Sequence, residues 1–290
     1  MKGIVLAGGT GSRLFPLTKI TNKHLLPVGT RPMIYRPVQK LVEAGITDIM
    51  IVTGVEHMGH VVGYLGSGKD FGCDITYRVQ DRAGGISEAL GLAEHFVGND
   101  RMVVILGDNI FEDSMKPAIE AFKKQEKGAR IFLKQVHDPS RFGVATLEDG
   151  KVVSIEEKPE NPQSDYAVTG VYCYDSQAFE VIRQCEPSAR GELEITDLNN
   201  LYLKEGSLKV ELMGRGSAWL DTGTLDSLLD AANFVAAIEK RQGLKVCCPE
   251  EVAYRMGYID AEQLEKLAAP LKKSGYGDYL LKVINDRVKI

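Results

Sequence analysis

The feature that most constrains this chain is an apolar strand that runs directly into a glycine-rich turn near the N-terminus. Gly3–Ala7 is typical of a buried strand, and the turn Gly8-Gly9-Thr10-Gly11-Ser12-Arg13 follows it. Glycines let the backbone turn sharply and approach a ligand closely, because they carry no Cβ. Successive N–H groups in such a turn bind anions, and Arg13 and the later Lys23 add two cations. The pattern predicts a polyphosphate site.

This turn differs from two better-known phosphate-binding loops. A dinucleotide-binding turn needs a third glycine that opens a helix, but this chain has Leu14 there and prolines at positions 16 and 27. A Walker-type loop ends in Gly-Lys-Ser/Thr, whereas the near match at 63–70 ends in Asp70, whose charge would repel phosphate. Both differences disfavour those two classes of nucleotide-binding protein.

Strand and helix signals alternate along the first part of the chain, which favours an α/β fold. The strand signals lie at Ile49–Thr53, Ile75–Arg78 and Met102–Leu106, and the helical patterns at Pro32–Ala44, His57–Leu65 and Gly85–His95. We expect a Rossmann-like, mostly parallel mixed sheet flanked by helices. Ligands of such sheets bind beyond the carboxyl ends of the strands. The glycine turn and Asp108, which follows a strand, should therefore lie at one edge.

The remainder of the chain shows two other patterns. Strand-like segments at Ile131–Val136, Val144–Leu147, Val152–Glu156 and Ala167–Tyr174 predict an inserted β region, with a hairpin turn at Glu148–Lys151. From Glu250 onward the pattern is helical, over Glu250–Tyr258, Ala261–Ala269 and Asp278–Val283. We divide the chain into a core over 1–242, with parts at about 1–130 and 131–224, and a C-terminal helical segment over 243–290.

Composition argues against several classes of protein. A net charge of −5 over 290 residues is unlike that of a general nucleic-acid binder. No apolar stretch approaches the ~20 residues of a membrane span, and the N-terminus shows no signal-peptide pattern. The five cysteines include no C-x-x-C, which fits reduced thiols better than disulfides or a zinc site. We expect a cytoplasmic protein that binds neither nucleic acid nor membranes.

An ordered set of motifs resembles the sugar-phosphate nucleotidylyltransferases, and within them the thymidylyltransferase branch. The motifs are Gly8–Leu14, Lys23–Val28, Arg31–Tyr35, Leu106–Asn109, Glu156–Pro159, Tyr166–Tyr172, Arg190–Asp197 and Trp219–Thr224. The resemblance covers nearly the whole chain. It implies transfer of a thymidylyl group from dTTP to α-D-glucose 1-phosphate, with Mg2+, by a single in-line displacement that gives dTDP-glucose and pyrophosphate. It also implies the first step of dTDP-L-rhamnose formation, a homotetramer, and feedback inhibition by dTDP-rhamnose through the C-terminal segment.

The resemblance assigns roles to individual residues. Arg13 and Lys23 would act on the triphosphate and the transition state; Leu6, Gly8, Gly9, Gly11, Gln80, Gly85 and Asp108 would bind the nucleotide; Gly143, Glu157, Lys158, Val168 and Arg190 would bind the sugar phosphate; and Asp108 and Asp221 would hold the metal. The residues themselves support part of this assignment, because magnesium prefers one or two carboxylates together with phosphate oxygens.

Several alternatives remain open from the sequence. Asp108 and Asp221 could instead be turn or helix-capping aspartates, above all Asp221, because the helix expected at Leu225–Gln242 needs a cap. Gln80 could be an ordinary turn residue. The Gln80 amide can donate and accept, so it suits the edge of a pyrimidine. Thymine and uracil differ by one methyl group, worth only about 1–3 kcal/mol of discrimination. A uridylyltransferase or cytidylyltransferase that acts on another hexose 1-phosphate therefore remains an alternative. A non-catalytic nucleotide-sugar sensor is the alternative from outside the enzymes.

Three positions depart from the family pattern. His24 stands where glutamine is more usual, Arg36 where a second tyrosine is common, and Phe142 where tyrosine is more usual. Because His24 is next to Lys23, a proposed phosphate ligand, the sequence does not predict how the histidine affects turnover. The change at Phe142 would remove one hydroxyl near the sugar.

Overall fold

A nine-stranded mixed sheet forms the centre of the computed structural model, which describes residues 1–288. The strands are β1 Lys2–Ala7, β2 Pro27–Val28, β3 Arg31–Pro32, β4 Asp48–Gly54, β5 Asp74–Gln80, β6 Met102–Leu106, β7 Asn109–Phe111, β8 Ala129–Gln135, β9 Gly143–Glu148, β10 Lys151–Glu157, β11 Tyr166–Tyr174, β12 Leu208–Leu212 and β13 Trp219–Asp221. The sheet order is β10-β9-β11-β6-β1-β4-β5, with β8 beside β11 and β12 beside β8. Strands β6, β1, β4 and β5 are parallel, and β11 runs antiparallel to β6.

Helices cover both faces of this sheet. They are α1 Tyr35–Glu43, α2 Met58–Leu65, α3 Ile86–Gly91, α4 Glu94–Val97, α5 Lys116–Lys123, α6 Ala178–Ile182, α7 Ile195–Lys204, α8 Leu225–Gln242, α9 Pro249–Arg255, α10 Ala261–Ala268 and α11 Tyr276–Ile284. Strand β1 shows why both faces need cover: Val5 and Ala7 join one buried cluster, and Ile4 and Leu6 join the other. The α/β fold with a Rossmann-like mixed sheet is confirmed, and the inserted strands extend the same sheet.

Two predicted helices differ from those observed. The pattern at Gly85–His95 forms two short helices, α3 and α4, because α3 ends at Gly91, a residue that weakens helices. The pattern at Pro32–Ala44 starts as a helix only at Tyr35, since Arg31–Pro32 pairs with Pro27–Val28 as a small ribbon. The hairpin turn after β9 is observed, with Asp149 and Gly150 both at positive φ.

A second ribbon, which sequence reasoning did not predict, positions the carboxylates discussed below. Strand β7 pairs with β13 in antiparallel register, so that Asn109 lies opposite Asp221. Each strand has only three residues, too few for a periodic signal. The ribbon brings together segments separated by more than a hundred residues.

The C-terminal helices form their own buried cluster, which includes Leu264, Leu280 and Val283. They dock on the core through α9, which packs against α1. The backbone N–H of Cys248 donates to Oε1 of Gln39 on α1 at 2.7 Å. The predicted segment extends to residue 290, and its last two residues lie outside the described part of the chain. Among residues 1–288, no helix is both long and apolar enough to cross a membrane.

Candidate active site

The glycine turn after β1 and the loop after β6 meet at one edge of the sheet. Lys23 reaches across this edge, and its Nζ lies 2.5 Å from Oδ2 of Asp108. A Cβ on Gly9 would lie 3.4 Å from the same Nζ, so the lysine lies against the glycine turn. Both side chains are largely buried, with 14% and 15% of their surfaces exposed. The structure thus places a cation–carboxylate pair beside the predicted anion-binding turn.

Neighbouring charge keeps Asp108 ionised, and burial keeps His24 neutral. Burial raises the pKa of Asp108, but the Lys23 ammonium and hydrogen bonds from Lys23 and Asn109 hold it well below its usual range. Burial and the adjacent Lys23 lower the pKa of His24 to about 3, against an opposing effect of Asp108. The imidazole Nδ1 lies 2.6 Å from Oδ1 of Asn22. An uncharged, buried imidazole therefore lies next to the Lys23–Asp108 ion pair in the sequence and in space.

Asp221 is not the N-cap of the following helix. That role belongs to Thr224, whose side chain accepts the backbone N–H of Ser227 while Ser227 bonds back in a capping box. Oδ2 of Asp221 instead accepts from Nη2 of Arg141 at 2.8 Å and from the backbone N–H of Gly223 at 3.2 Å. The carboxylate faces the same cavity as Asp108. The capping alternative for Asp221 is therefore wrong.

Thr222 ties the two carboxylate-bearing segments together. Its backbone N–H and its hydroxyl both donate to the carbonyl oxygen of Asp108, at 3.1 and 2.8 Å. The residue is completely buried. Because Thr222 directly follows Asp221, these bonds fix the spacing of the two aspartates.

Asn109 orients one oxygen of Asp108. Its Oδ1 accepts from the backbone N–H of Gly170 at 3.2 Å and from the indole N–H of Trp219 at 2.6 Å. Two donors on one side fix the amide, so its Nδ2 donates to Oδ1 of Asp108 at 2.9 Å. This contact leaves Oδ2 to face Lys23.

A cavity of about 140 Å³ lies between these groups and the inserted strands. The predicted residues that line it are Arg13, Asp108, Gly143, Glu157, Lys158, Val168 and Asp221. Sequence reasoning missed other lining residues, among them Arg141, Tyr172 and Thr196. Tyr172 and Thr196, like Asn109 and Trp219 in the same lining, stood inside recognised motifs, whereas Arg141 gave no signal beyond its place beside Phe142.

Four of the five residues predicted to bind the sugar phosphate line this cavity, and the fifth, Arg190, lies beside it. Lys158 adopts φ +45°, an uncommon conformation for a residue with a side chain, directly after β10. Glu157 accepts from the Thr196 hydroxyl at 2.6 Å and pairs with Lys158 at 3.1 Å. Arg190 lies 3.7 Å from Glu157 and 2.7 Å from Glu194, in an adjoining groove.

The residues predicted to read the base lie on the other side of the glycine turn, outside the lining of the cavity. A Cβ on Gly8 would lie 2.5 Å from Oε1 of Gln80, so this glycine admits the buried amide. Gly85, at φ +102°, contacts the backbone of Leu193 so closely that a Cβ would lie 2.4 Å from its carbonyl oxygen. Leu6 and Gly11 border the same turn, and Gly107 donates to the Leu6 carbonyl at 2.9 Å.

The donor set fits a magnesium ion that also binds phosphate. Within residues 1–288 no three His, Cys, Asp or Glu side chains cluster as a complete protein cage. Asp108 and Asp221 face one cavity, which matches the preference of Mg2+ for one or two carboxylates with substrate oxygens and water.

Comparisons with known proteins match nearly the whole chain. A profile of the nucleotidyl transferase family matches residues 2–238. A glucose-1-phosphate thymidylyltransferase of Neisseria meningitidis is 49% identical over 286 residues, covering 98% of this chain and 99% of its own. The enzyme of the same name from Mycobacterium tuberculosis is 48% identical over 286 residues and also covers 98% of this chain.

Solved structures resemble about four fifths of the chain. A provisionally assigned glucose-1-phosphate thymidylyltransferase of Bacillus anthracis, in complex with a sucrose, has a TM-score of 0.78 and 62% identity, covering 81% of this chain and 94% of its own. A UDP-glucose pyrophosphorylase complexed with UDP-glucose has a TM-score of 0.71 and 26% identity, covering 83% of this chain and 99% of its own.

Proposed function

We propose that this chain, which belongs to the nucleotidyl transferase family, is a glucose-1-phosphate thymidylyltransferase. It transfers the thymidylyl group of dTTP to α-D-glucose 1-phosphate and releases pyrophosphate, giving dTDP-glucose. The observation that carries the proposal is one cavity that joins two carboxylates, Asp108 and Asp221, to the cations Arg13 and Lys158. Full-length similarity to enzymes of that name supports the choice of substrates.

Charge neutralisation and alignment do most of the catalytic work in such a transfer. The phosphate of glucose 1-phosphate is ionised at pH 7, so its oxygen attacks the α-phosphorus without a general base. Lys158 and Arg190 hold that phosphate, and Glu157 binds a sugar hydroxyl. Arg13 and Lys23 stabilise the charge that develops on the triphosphate as pyrophosphate leaves in line.

Asp108 and Asp221 are the residues that would hold Mg2+, which neutralises phosphate charge and polarises the α-phosphoryl group when bound. The protein's part is to keep both carboxylates ionised and correctly spaced. Lys23 lies 2.5 Å from Asp108 and favours its ionised form, and Thr222 fixes the spacing.

Gln80 and Gly85 are our candidates for reading the base. The amide of Gln80 can donate to O4 and accept from N3–H of a pyrimidine. Nothing in that pair of bonds senses the thymine methyl group, so we expect UTP to be accepted as well as dTTP.

A panel of nucleoside triphosphates and sugar phosphates tests the proposal. Pyrophosphate release by the purified enzyme should be fastest with dTTP and glucose 1-phosphate, and the sugar product should be dTDP-glucose. Faster release with UTP would make the enzyme a uridylyltransferase. Binding of dTDP-glucose without any release in the whole panel would make the chain a sensor.

The C-terminal segment supports a second, regulatory proposal. A cavity of about 340 Å³ lies between α1, α8 and the tail, and Lys40, Lys245 and Arg255 line it. We infer that this cavity binds the feedback inhibitor dTDP-rhamnose in a homotetramer that operates in the cytoplasm. Inhibition should then be non-competitive with dTTP, and Lys245→Gln should weaken it without changing kcat. Purely competitive inhibition would contradict this role, and light scattering checks the tetramer.

A further inference from the structure

We propose that Arg141 is a phosphate-binding residue that pairs with Asp221 in the free enzyme and turns to the triphosphate when Asp221 takes up its metal. This inference rests on the proposed function, because it assumes that the cavity receives dTTP with a divalent cation. Nothing in the sequence pattern assigned Arg141 a role.

Each candidate metal ligand carries its own cation in the free protein. Asp108 pairs with Lys23 at 2.5 Å, and Asp221 pairs with Arg141 at 2.8 Å. A divalent cation on the Asp221 carboxylate competes with the arginine for the same negative charge, so metal binding weakens the ion pair with Arg141. Lys23 and Arg141 therefore stand as the two groups that lose a partner when the metal binds.

Arg141 is free to move because few contacts hold it. Among the described residues its guanidinium forms one ion pair, the one to Asp221, whereas Arg190 faces three carboxylates. Its side chain is 34% exposed, against 14% for that of Lys23. Its Cζ lies 5.4 Å from the centre of the Phe142 ring, a cation–π contact that is worth only about 0.5–1 kcal/mol at an exposed site.

The position of Arg141 suits phosphate. It ends the short turn before β9 and lines the cavity together with Arg13, Lys158 and Asp221. A planar guanidinium presents a fork of donors that matches two phosphate oxygens. A small displacement from Asp221 keeps that fork beside the phosphate groups that the metal would hold.

The proposal predicts opposite effects on two affinities. Loss of the Arg141 charge removes a competitor for Asp221, so the free enzyme should bind a divalent cation more tightly. The same change removes a phosphate ligand, so dTTP should bind more weakly. If Arg141 only orients Asp221, its loss would weaken cation binding as well.

The test compares Arg141→Gln, which keeps a donor near Asp221, and Arg141→Lys, which keeps the charge but loses the fork. The matched control is Arg183→Gln, an exposed arginine that pairs with Glu94 and Glu180 away from the cavity. Mn2+ binding to the free enzyme is measured by electron paramagnetic resonance. Binding of dTTP is measured by calorimetry, with Mg2+ and with EDTA.

We expect Arg141→Gln to bind Mn2+ several-fold more tightly than the parent enzyme. In the presence of Mg2+ its affinity for dTTP should fall about tenfold or more, which corresponds to the loss of a charged hydrogen bond. The loss should be smaller in EDTA, where Asp221 retains the arginine in the parent enzyme. The affinities of Arg141→Lys for Mn2+ and dTTP should lie between those of the parent enzyme and Arg141→Gln. The affinities of the control Arg183→Gln should equal those of the parent. Weaker Mn2+ binding, or unchanged dTTP binding, would overturn the assignment. If the parent enzyme itself binds no dTTP, the proposed function fails instead.

Discussion

The indole N–H of Trp219 donates to Oδ1 of Asn109 at 2.6 Å, and Asn109 in turn donates to a carboxylate oxygen of Asp108 at 2.9 Å. Trp219 thus orients Asp108, a candidate metal ligand more than a hundred residues earlier in the chain. The chain of bonds is mostly buried, so each donor matters more than it would in water.

Trp219→Phe should lower kcat/KM because it removes the indole donor and lets the Asn109 amide rotate. The loss of one hydrogen bond of about 1–2 kcal/mol corresponds to about a 5–30-fold decrease. In the parent protein the ring centres of Trp219 and Phe142 are 4.9 Å apart. A phenyl ring keeps this packing, so the melting temperature should change little. Steady-state kinetics over a Mg2+ titration measures the effect, and an unchanged kcat/KM would show that the indole bond does not orient Asp108.

Asp108→Asn and Asp221→Asn should each reduce turnover about 100-fold or more, since each removes a charge that binds the metal. The control is Asp48→Asn, whose carboxylate pairs with Lys2 at the opposite end of β1. Circular dichroism checks the fold, and rates are measured over a wide range of Mg2+ concentration. Near-normal turnover at ordinary Mg2+ in either variant would remove that residue from the metal site.

His24 should make the protein less stable in mild acid. Its pKa is lowered to about 3 in the folded state, while the unfolded chain takes up the proton near pH 6.5. Stability is therefore lost as the pH falls below 6.5, by about 2 kcal/mol between pH 7 and pH 5. Asp108, whose pKa is also lowered in the folded protein, takes up a proton only at more acidic pH. It therefore does not change the free energy of unfolding between pH 7 and pH 5.

His24→Gln should flatten this pH dependence, because glutamine does not titrate. Urea unfolding at pH 7 and pH 5 measures the free energy of unfolding of both proteins. His137→Gln, at an exposed position, is the control. Equal losses between pH 7 and pH 5 in the parent and in His24→Gln would rule out His24 as the source.

Glu250→Gln should loosen the C-terminal segment from the core. Glu250 is 4% exposed, pairs with Arg31, and accepts from the Tyr276 hydroxyl at 2.9 Å. Breaking a buried ion pair leaves Arg31 without compensation and costs about 3–5 kcal/mol. The exposed tail pair of Glu262 with Lys266 is the matched control, for which Glu262→Gln should change little. Limited proteolysis near residue 243 and urea unfolding are measured for both variants. Equal proteolysis and equal unfolding of the two would show that Glu250 does not hold the C-terminal segment on the core.

The transfer should proceed without a nucleotidyl-enzyme intermediate. The cavity lining contains no histidine or cysteine, and the described cysteines are free, with burial raising the pKa of Cys173 to about 12. An un-ionised thiol is a poor nucleophile. Enzyme incubated with labelled dTTP alone should carry no label after denaturation, and stoichiometric labelling would overturn the single displacement.

Local patterns were enough to predict two parts of the site, the glycine turn and Asp108. An apolar run followed by glycines, and a second run followed by Asp108, predict two strand ends that meet at one edge, because parallel strands align their carboxyl ends. The central strands of the sheet were also predictable, because burial on both faces makes their sequences continuously apolar. Motif resemblance then added roles for Gln80, Glu157 and Arg190, which remain predictions.

Tertiary structure decided what no local pattern could contain. Whether Asp221 caps a helix or faces the cavity depends on Thr224 taking the cap and on a ribbon to Asn109, a segment more than a hundred residues away. The place of Arg141 opposite Asp221 likewise follows from folding the inserted strands onto the sheet. Sequence determines residue type and local period, whereas a charge pair between distant segments exists only once long-range packing has set their distance.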